Sequence, residues 1–550
     1  MMFNIFSSIS LFFLFSHSLL AGVIFEENVR IPMSDGVSIS ADIFKPDNEN
    51  AYPVLYAVSP YIKSYSKLPV LPAFRFRQSG DIDWFVKHGF IVVHADTRGT
   101  GDSKEGVWKF LDQREQKDMY ETIEWIARQK WSTGNIGMIG GSYYGVSQYF
   151  AALSKPPHLK CIAPYNAATD MYSDVFYHGG ILNVGIFNWI TFNTRANILR
   201  YNPKQITHDI GQDILKHDTY DEYWRVRSAY ERLNEIDIPM FSIANWNSLG
   251  LHLKGNIDAF KRTSGVKKLL ITAGDPQIQL YSNEIKEELL KWYNSCLKGE
   301  GFTKSDKKVK YFLRGAGKYK ELKDWPTKSK NFLKYYLSEK KSNSVPSLNN
   351  GSLVLSGLSD NADSKTNFTY PDPYWGGWPG LGVTSFNPKL GLNKTSRILT
   401  YTSQRLTQDV EVTGEVVLHI YASTTEKDID LYVKLVDHFT TPENSIVRRV
   451  VSKGWLKASQ VDSVDKLKRL ENLEINKRKL TPNKIYKLSV SLWPTAYLFK
   501  KGHRVSIELS NGDSPITDAP FYHYYGVKTG TDTFYHSKKY PSYIELPVLN

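Results

Sequence analysis

From Val23 to about Asn166, short apolar runs alternate with segments of helical spacing. The runs YPVLYAVSPY (52–61) and FIVVHADTRG (90–99) are apolar at nearly every position and end in turn-forming residues, which predicts strands covered on both faces. Between such runs, DQREQKDMYETIEWIARQ (112–129) places Met119, Ile123 and Ile126 at helical spacing with charges between them. NIGMIGG (135–141) predicts the next strand, residues 143–153 a helix, and LKCIAPYN (159–166) a further strand. Strands and helices in this alternation predict a parallel sheet with helices on both sides.

Residues 168–236 break the rhythm and read as a helical insertion over the sheet. The sheet pattern resumes with IPMFSIANW (238–246) and KKLLITAGD (267–275), followed by the helix NEIKEELLKWYNSCLKG (283–299). Beyond about residue 308 helical spacing nearly vanishes and strict alternation takes over, as in QDVEVTGEVVLHIYAS (408–423), which predicts an antiparallel sandwich. The pattern divides the chain into an α/β core (23–167 and 237–305), an insertion (168–236) and a C-terminal sandwich (308–550).

Composition narrows the function classes. The net charge is +13, but the lysines are scattered and accompany no nucleic-acid-binding motif, so the charge reads as a solvated surface. Residues 1–21 are uncharged and apolar with small residues near their end, which predicts an export signal cleaved after Ser18 or Ala21. The missing basic start leaves a short membrane anchor over Ile5–Ala21 as the alternative. The two cysteines, Cys161 in a strand pattern and Cys296 on a helix, read as two buried thiols, with a single bridge left open for an oxidising compartment. No metal-ligand spacing and no cofactor motif occurs, so neither a metal nor a cofactor is expected.

Chemistry concentrates in NIGMIGGSYYGVSQYF (135–150), where a strand, a tight glycine turn and a helix surround Ser142. Gly140 and Gly145 suit a strained turn that exposes a serine over a helix N-terminus. The pattern G-x-S-Y-x-G resembles the CocE/NonD hydrolase family, which includes cocaine esterase, α-amino acid ester hydrolases and Xaa-Pro dipeptidyl peptidases. DTRGTGDSKEG, IEWIARQKWSTGNIGMIGGSYYG, PPHLKCIAPYNAATDMY and FYHGGI follow in the family's order, and KKGHRVSIELS and SYIELPVL resemble its terminal sandwich. The resemblance implies an α/β-hydrolase domain with a helical cap insertion and a C-terminal jelly-roll β-sandwich. It implies Ser142 as nucleophile, the Tyr143 backbone N–H as one oxyanion donor and the Tyr61 hydroxyl as the second.

The resemblance fails at the proton relay. Where the family carries an aspartate, ANWNSLGLHLKG puts Ser248, with Asn247 beside it; where it carries a histidine, LLITAGDPQIQLYS puts Gln277. Glutamine accepts no proton from a serine, and Ser248 carries no charge to stabilise an imidazolium. His252 reads as a packed or capping residue, while His178 and His523 reach the cleft only if the fold brings them there. Asp96, Arg98 and Asp102 in DTRGTGDS read as charge pairing within a loop. YPDPYWGGWPG (370–380) suits either a lid or a rigid interdomain loop. Two functions fit: an exported serine hydrolase acting on ester, amide or Xaa-Pro-type peptide substrates, or a catalytically inactive relative that binds small acyl or peptide ligands or proteins. A third assigns the main role to the sandwich as a binding module by analogy alone. The expected partner is a small acyl or peptide compound, with no nucleic acid and no membrane beyond the N-terminal segment.

Overall fold

The computed structural model describes residues 22–63, 76–302, 307–326, 331–370, 386–387, 391–392, 398–443, 445–471, 475–513, 518, 520–523 and 529–549. The expected export signal and nearly all of the aromatic run at 370–380 lie outside them.

Ten strands form the first sheet: Val23–Pro32 (β1), Ser38–Pro46 (β2), Tyr52–Ser59 (β3), Ile91–Asp96 (β4), Ser132–Met138 (β5), Leu159–Ile162 (β6), Met240–Asn245 (β7), Lys267–Thr272 (β8), Val309–Leu313 (β9) and Lys318–Leu322 (β10). Their order is β1-β2-β4-β3-β5-β6-β7-β8-β9-β10, parallel from β4 through β9 with antiparallel pairs at both edges. Alternation within β3 shows why its run is apolar throughout. Val54, Tyr56 and Val58 pack on the side of helices Gln113–Ala127 (α1) and Tyr143–Leu153 (α2). Leu55 and Ala57 pack on the opposite side with Ile285, Leu289 and Trp292 of Asn283–Leu297 (α4), while Leu253–Arg262 (α3) crosses between β7 and β8. Met119, Ile123 and Ile126 are all buried, as the helical spacing requires.

Two features differ from the sequence pattern. The first sheet continues past the boundary drawn at residues 305–308: β9 pairs in parallel with β8, and β10 closes the edge. Strand alternation alone does not say which sheet a strand joins. Cys161 on β6 and Cys296 on α4 form a disulfide rather than standing as separate buried thiols, with their Cα atoms 6.2 Å apart across 135 residues of sequence. β6 and α4 pack together, and that contact brings the two sulfurs within reach.

The region 168–236 folds as short helical segments, among them Met171–Phe176, Val184–Asn188 and Trp189–Thr194, with a small hairpin at Tyr177–His178 and Ile181–Leu182. Eleven strands after β10 form an almost entirely antiparallel sheet among the described residues, wrapped around a core that includes Leu337, Leu418, Ile420, Val433 and Ile507. This is the C-terminal β-sandwich. A short helical excursion from it, Ala458–Leu470, docks against the 168–236 region, where Arg469 pairs with Asp170.

Candidate active site

The site residues stand just beyond the carboxyl ends of neighbouring parallel strands: Tyr61 after β3, Ser142 after β5, Asn166 after β6, Asn247 and Ser248 after β7, and Asp275 to Gln277 after β8. Ligands bind at this edge in open α/β sheets because the loops there face one common crevice. All of these residues line a cavity of about 830 Å³.

Ser142 has φ 57° and ψ −123°, a conformation costly for any side chain-bearing residue. Its surroundings hold it there. The Ser142 N–H donates to the carbonyls of Tyr165 (3.1 Å) and Asn166 (2.9 Å), and the Ser142 carbonyl accepts from Gly145 N–H (2.9 Å) and Val146 N–H (2.8 Å). Gly140 has φ 119°, and a Cβ there would stand 2.5 Å from the Tyr144 Cβ; one on Gly145 would stand 2.9 Å from the Ala167 Cβ. The glycines of G-x-S-Y-x-G are therefore required by close approach and by backbone sign.

The Tyr61 hydroxyl lies 3.1 Å from Ser142 Oγ and also faces the Tyr143 backbone N–H. Rings of Tyr143, Tyr144 and Trp189 meet the Tyr61 ring edge-on at 5.9, 5.9 and 5.3 Å and fix its orientation. Burial pushes the Tyr61 phenol up to about 12, so it stays protonated and able to donate. The phenol and the Tyr143 N–H thus meet beside the Ser142 oxygen, two groups of the kind that donate to a developing oxyanion. Behind them the Tyr143 hydroxyl donates to the buried Glu115 carboxylate at 2.8 Å. Burial pushes Glu115 up to about 8.

The two positions expected to carry the relay, Ser248 and Gln277, are also in the cavity. Ser248 is buried at its wall, and Gln277 is exposed at its rim on the short helix Pro276–Leu280, capped by Asp275 Oδ1, which accepts from the N–H groups of Gln277 (2.9 Å) and Ile278 (3.0 Å). His17 lies outside the described residues; of the other twelve histidines, His252 alone lines this cavity. It begins α3 yet its side chain caps nothing, and burial alone pushes its imidazole down to about 3. Among the described residues Tyr61 is the one side chain hydrogen-bonded to Ser142 Oγ. His178 and His523 do meet, Nδ1 to Nε2 at 2.8 Å, but in the seam between the domains and away from the cavity lining. No group of three or more His, Cys, Asp or Glu side chains among the described residues is arranged to hold a metal ion.

Sequence reasoning missed the cavity's apolar walls. Trp189, Ile190 and Phe192 come from the insertion and Pro520 and Phe521 from the sandwich, so the walls are contributed by segments more than 300 residues apart and no local signal marks them.

The X-Pro dipeptidyl-peptidase (S15 family) domain pattern matches residues 35–275, and the X-Pro dipeptidyl-peptidase C-terminal non-catalytic domain pattern matches residues 300–545. The chain is 26% identical to cocaine esterase of Rhodococcus sp. over 89% of its own length and 91% of that protein. Its fold is similar to a CocE/NonD family hydrolase from Staphylococcus aureus (TM-score 0.80, 24% identity, 96% of this chain and 94% of the other). An α-amino acid ester hydrolase is similar at TM-score 0.74 and 19% identity, covering 96% of this chain and 97% of the other.

Proposed function

Because the chain belongs to the family of S15 X-Pro dipeptidyl-peptidases and CocE/NonD hydrolases, we propose that it is a serine hydrolase of small acyl compounds, slow and restricted to esters with good leaving groups. The observation that carries this reading is the strained Ser142 backbone with the Tyr61 hydroxyl 3.1 Å from its Oγ. Ser142 Oγ bonds to the acyl carbon, the carbonyl π electrons move onto oxygen, and Tyr61 O–H with Tyr143 N–H donate to that oxyanion. Collapse expels the alkoxide or phenoxide, and water then releases the acid.

The limit lies with protons. With Ser248 and Gln277 at the relay positions, the Ser142 proton leaves to water, which makes acylation slow. Amides make a further demand, since a departing amine must be protonated by a general acid. His252, held neutral by burial at about 3, supplies no proton near neutrality. Phenyl and other activated esters need no such acid.

The test compares purified protein with Ser142→Ala in fluorophosphonate labelling read by intact mass, and in turnover of p-nitrophenyl esters against an Xaa-Pro p-nitroanilide. Labelling and ester turnover that vanish with the substitution, and anilide turnover below detection, are expected. Equal ester rates in both proteins would leave the second reading, an inactive relative that binds acyl or peptide ligands, which the missing imidazole partner of Ser142 favours. Export is part of the proposal, supported by the apolar N-terminal run and by a disulfide that persists in oxidising compartments. N-terminal sequencing of the secreted protein should begin after Ser18 or Ala21.

A further inference from the structure

The loop DTRGTGDS remains without a role in the chemistry above, and its contacts lead to Tyr61. Asp96 ends β4 in register with Ser59 of β3, two residues before Tyr61. Its buried carboxylate accepts from the Lys63 backbone N–H at 2.6 Å on one oxygen and from the Asp102 N–H at 2.9 Å on the other. The Lys63 ammonium, itself buried, donates to Asp42 (2.7 Å), Asn28 (2.6 Å) and Asp102 (3.1 Å). A Cβ on Gly101 would stand 2.3 Å from Asp96 Oδ2, so the glycine makes room for the carboxylate.

Between Tyr61 and Lys63 stands Ile62, at φ 65°. A β-branched side chain in the left-handed region is strained, and the conformation persists only where the surroundings impose it. The bond from Lys63 N–H to Asp96 restrains the residue after Ile62, as the bond from Tyr61 N–H to Ser59 Oγ restrains the residue before it. Removing the bond to Asp96 lets Ile62 relax to negative φ, and the peptide that links it to Tyr61 then rotates and moves the phenol. We infer that Asp96 and Lys63 are positioning residues: the buried cluster of Asp96, Lys63, Asp42 and Asp102 holds the strained turn that sets the Tyr61 hydroxyl against Ser142.

This inference rests on Tyr61 as an oxyanion donor, and the experiment separates the two. The second-order rate of Ser142 phosphonylation by a fluorophosphonate is measured for the parent, Asp96→Asn, Tyr61→Phe and the double variant. Tyr61→Phe should slow labelling by about 100-fold. Asp96→Asn should slow it by roughly 10- to 100-fold, and by less than about 2-fold in the Tyr61→Phe background, because a residue acting through Tyr61 has nothing left to position. No effect of Tyr61→Phe would remove the oxyanion assignment. A normal Tyr61→Phe loss with fully additive Asp96→Asn would overturn the positioning role alone, since a generally structural defect acts in either background. Asp102→Asn, at a partly exposed member of the cluster, repeats the cycle if Asp96→Asn does not fold. Crystal structures of either variant should show the Tyr61 hydroxyl displaced by about 1 Å or more from its place beside Ser142; an unmoved phenol contradicts the inference even where labelling is too slow to measure.

Discussion

At the seam between the hydrolase domain and the sandwich, a carboxylate and two imidazoles stand in line. Asp513 Oδ2 lies 2.6 Å from His523 Nδ1, His523 Nε2 lies 2.8 Å from His178 Nδ1, and His178 Nε2 donates to the Asp174 carbonyl at 2.9 Å. Nearby, Arg469 and Lys466 from the sandwich's helical excursion meet Asp170, Asp174 and Asp258, with Lys466 at 3.1 Å from Asp174 and 2.9 Å from Asp258. In the cleft, His252 has no side-chain hydrogen bond among the described residues, and Ser142 has only a phenol. Among the described residues an Asp–His pair is buried where the two domains join, and none stands beside Ser142. A buried charge is tolerated only when paired, and residues 248 and 277 bring no charge to the cleft wall. Removing a seam charge would strand its partner.

The comparison can be broken at the seam first. Arg469→Ala leaves Asp170 buried beside Lys466 as its remaining cation and should cost about 3–5 kcal/mol in urea unfolding, with loss of cooperativity between the domains. Ser142→Ala in the cleft should change stability by less than about 1 kcal/mol. A mild Arg469 variant would mean that the sandwich docks by its apolar contacts alone. The cleft can be sharpened next: Ser248→Asp with Gln277→His should raise ester turnover by roughly 10²- to 10⁴-fold if the rest of the site is intact. A folded double variant with no gain would show that these positions do not hold the relay.

Smaller effects follow. Reduction of Cys161–Cys296, which closes 135 residues, should lower stability by about 2–4 kcal/mol. Ser142→Gly should stabilise by about 1 kcal/mol, because glycine adopts the strained conformation without a steric penalty; an unchanged melting temperature would mean that the turn stores no strain. The smallest is a pH slope. Burial raises Glu115 to about 8 and Asp96 to about 7 in the folded state, above the usual carboxyl range near 4. A raised carboxyl favours folding while protonated and costs stability as it ionises, so the contribution of these two groups to stability should fall between about pH 4 and 8, a negative slope read as the difference between parent and variant melting temperatures. Glu115→Gln should flatten that slope toward its upper end.

Much of the fold was legible. The apolar runs at 52–61 and 90–99 became β3 and β4, and Met119, Ile123 and Ile126 face the core from α1, because burial on one or both faces imposes a period on the residues themselves. The serine of the candidate site was legible for a related reason, since the turn that strains Ser142 demands glycines at fixed offsets, whereas Tyr61 was reached only through the family resemblance. The loop DTRGTGDS was legible only as charge pairing: nothing local says that Asp96 reaches forward of its own strand to the residue after Ile62. His252, read as packed or capping, stands at the helix start and is packed there without capping.

Sequence by itself determined the order of elements, the strained serine and the absence of charge at residues 248 and 277, since each follows from residues within a turn or two of one another. Tertiary structure decided that Cys161 meets Cys296, that β9 and β10 join the hydrolase sheet, that His178 meets His523 across 345 residues, and that segments from the insertion and the sandwich wall the cavity. Those contacts form when whole packed layers come together, and their selection rests on burial and shape over the assembled domains, which no local period records.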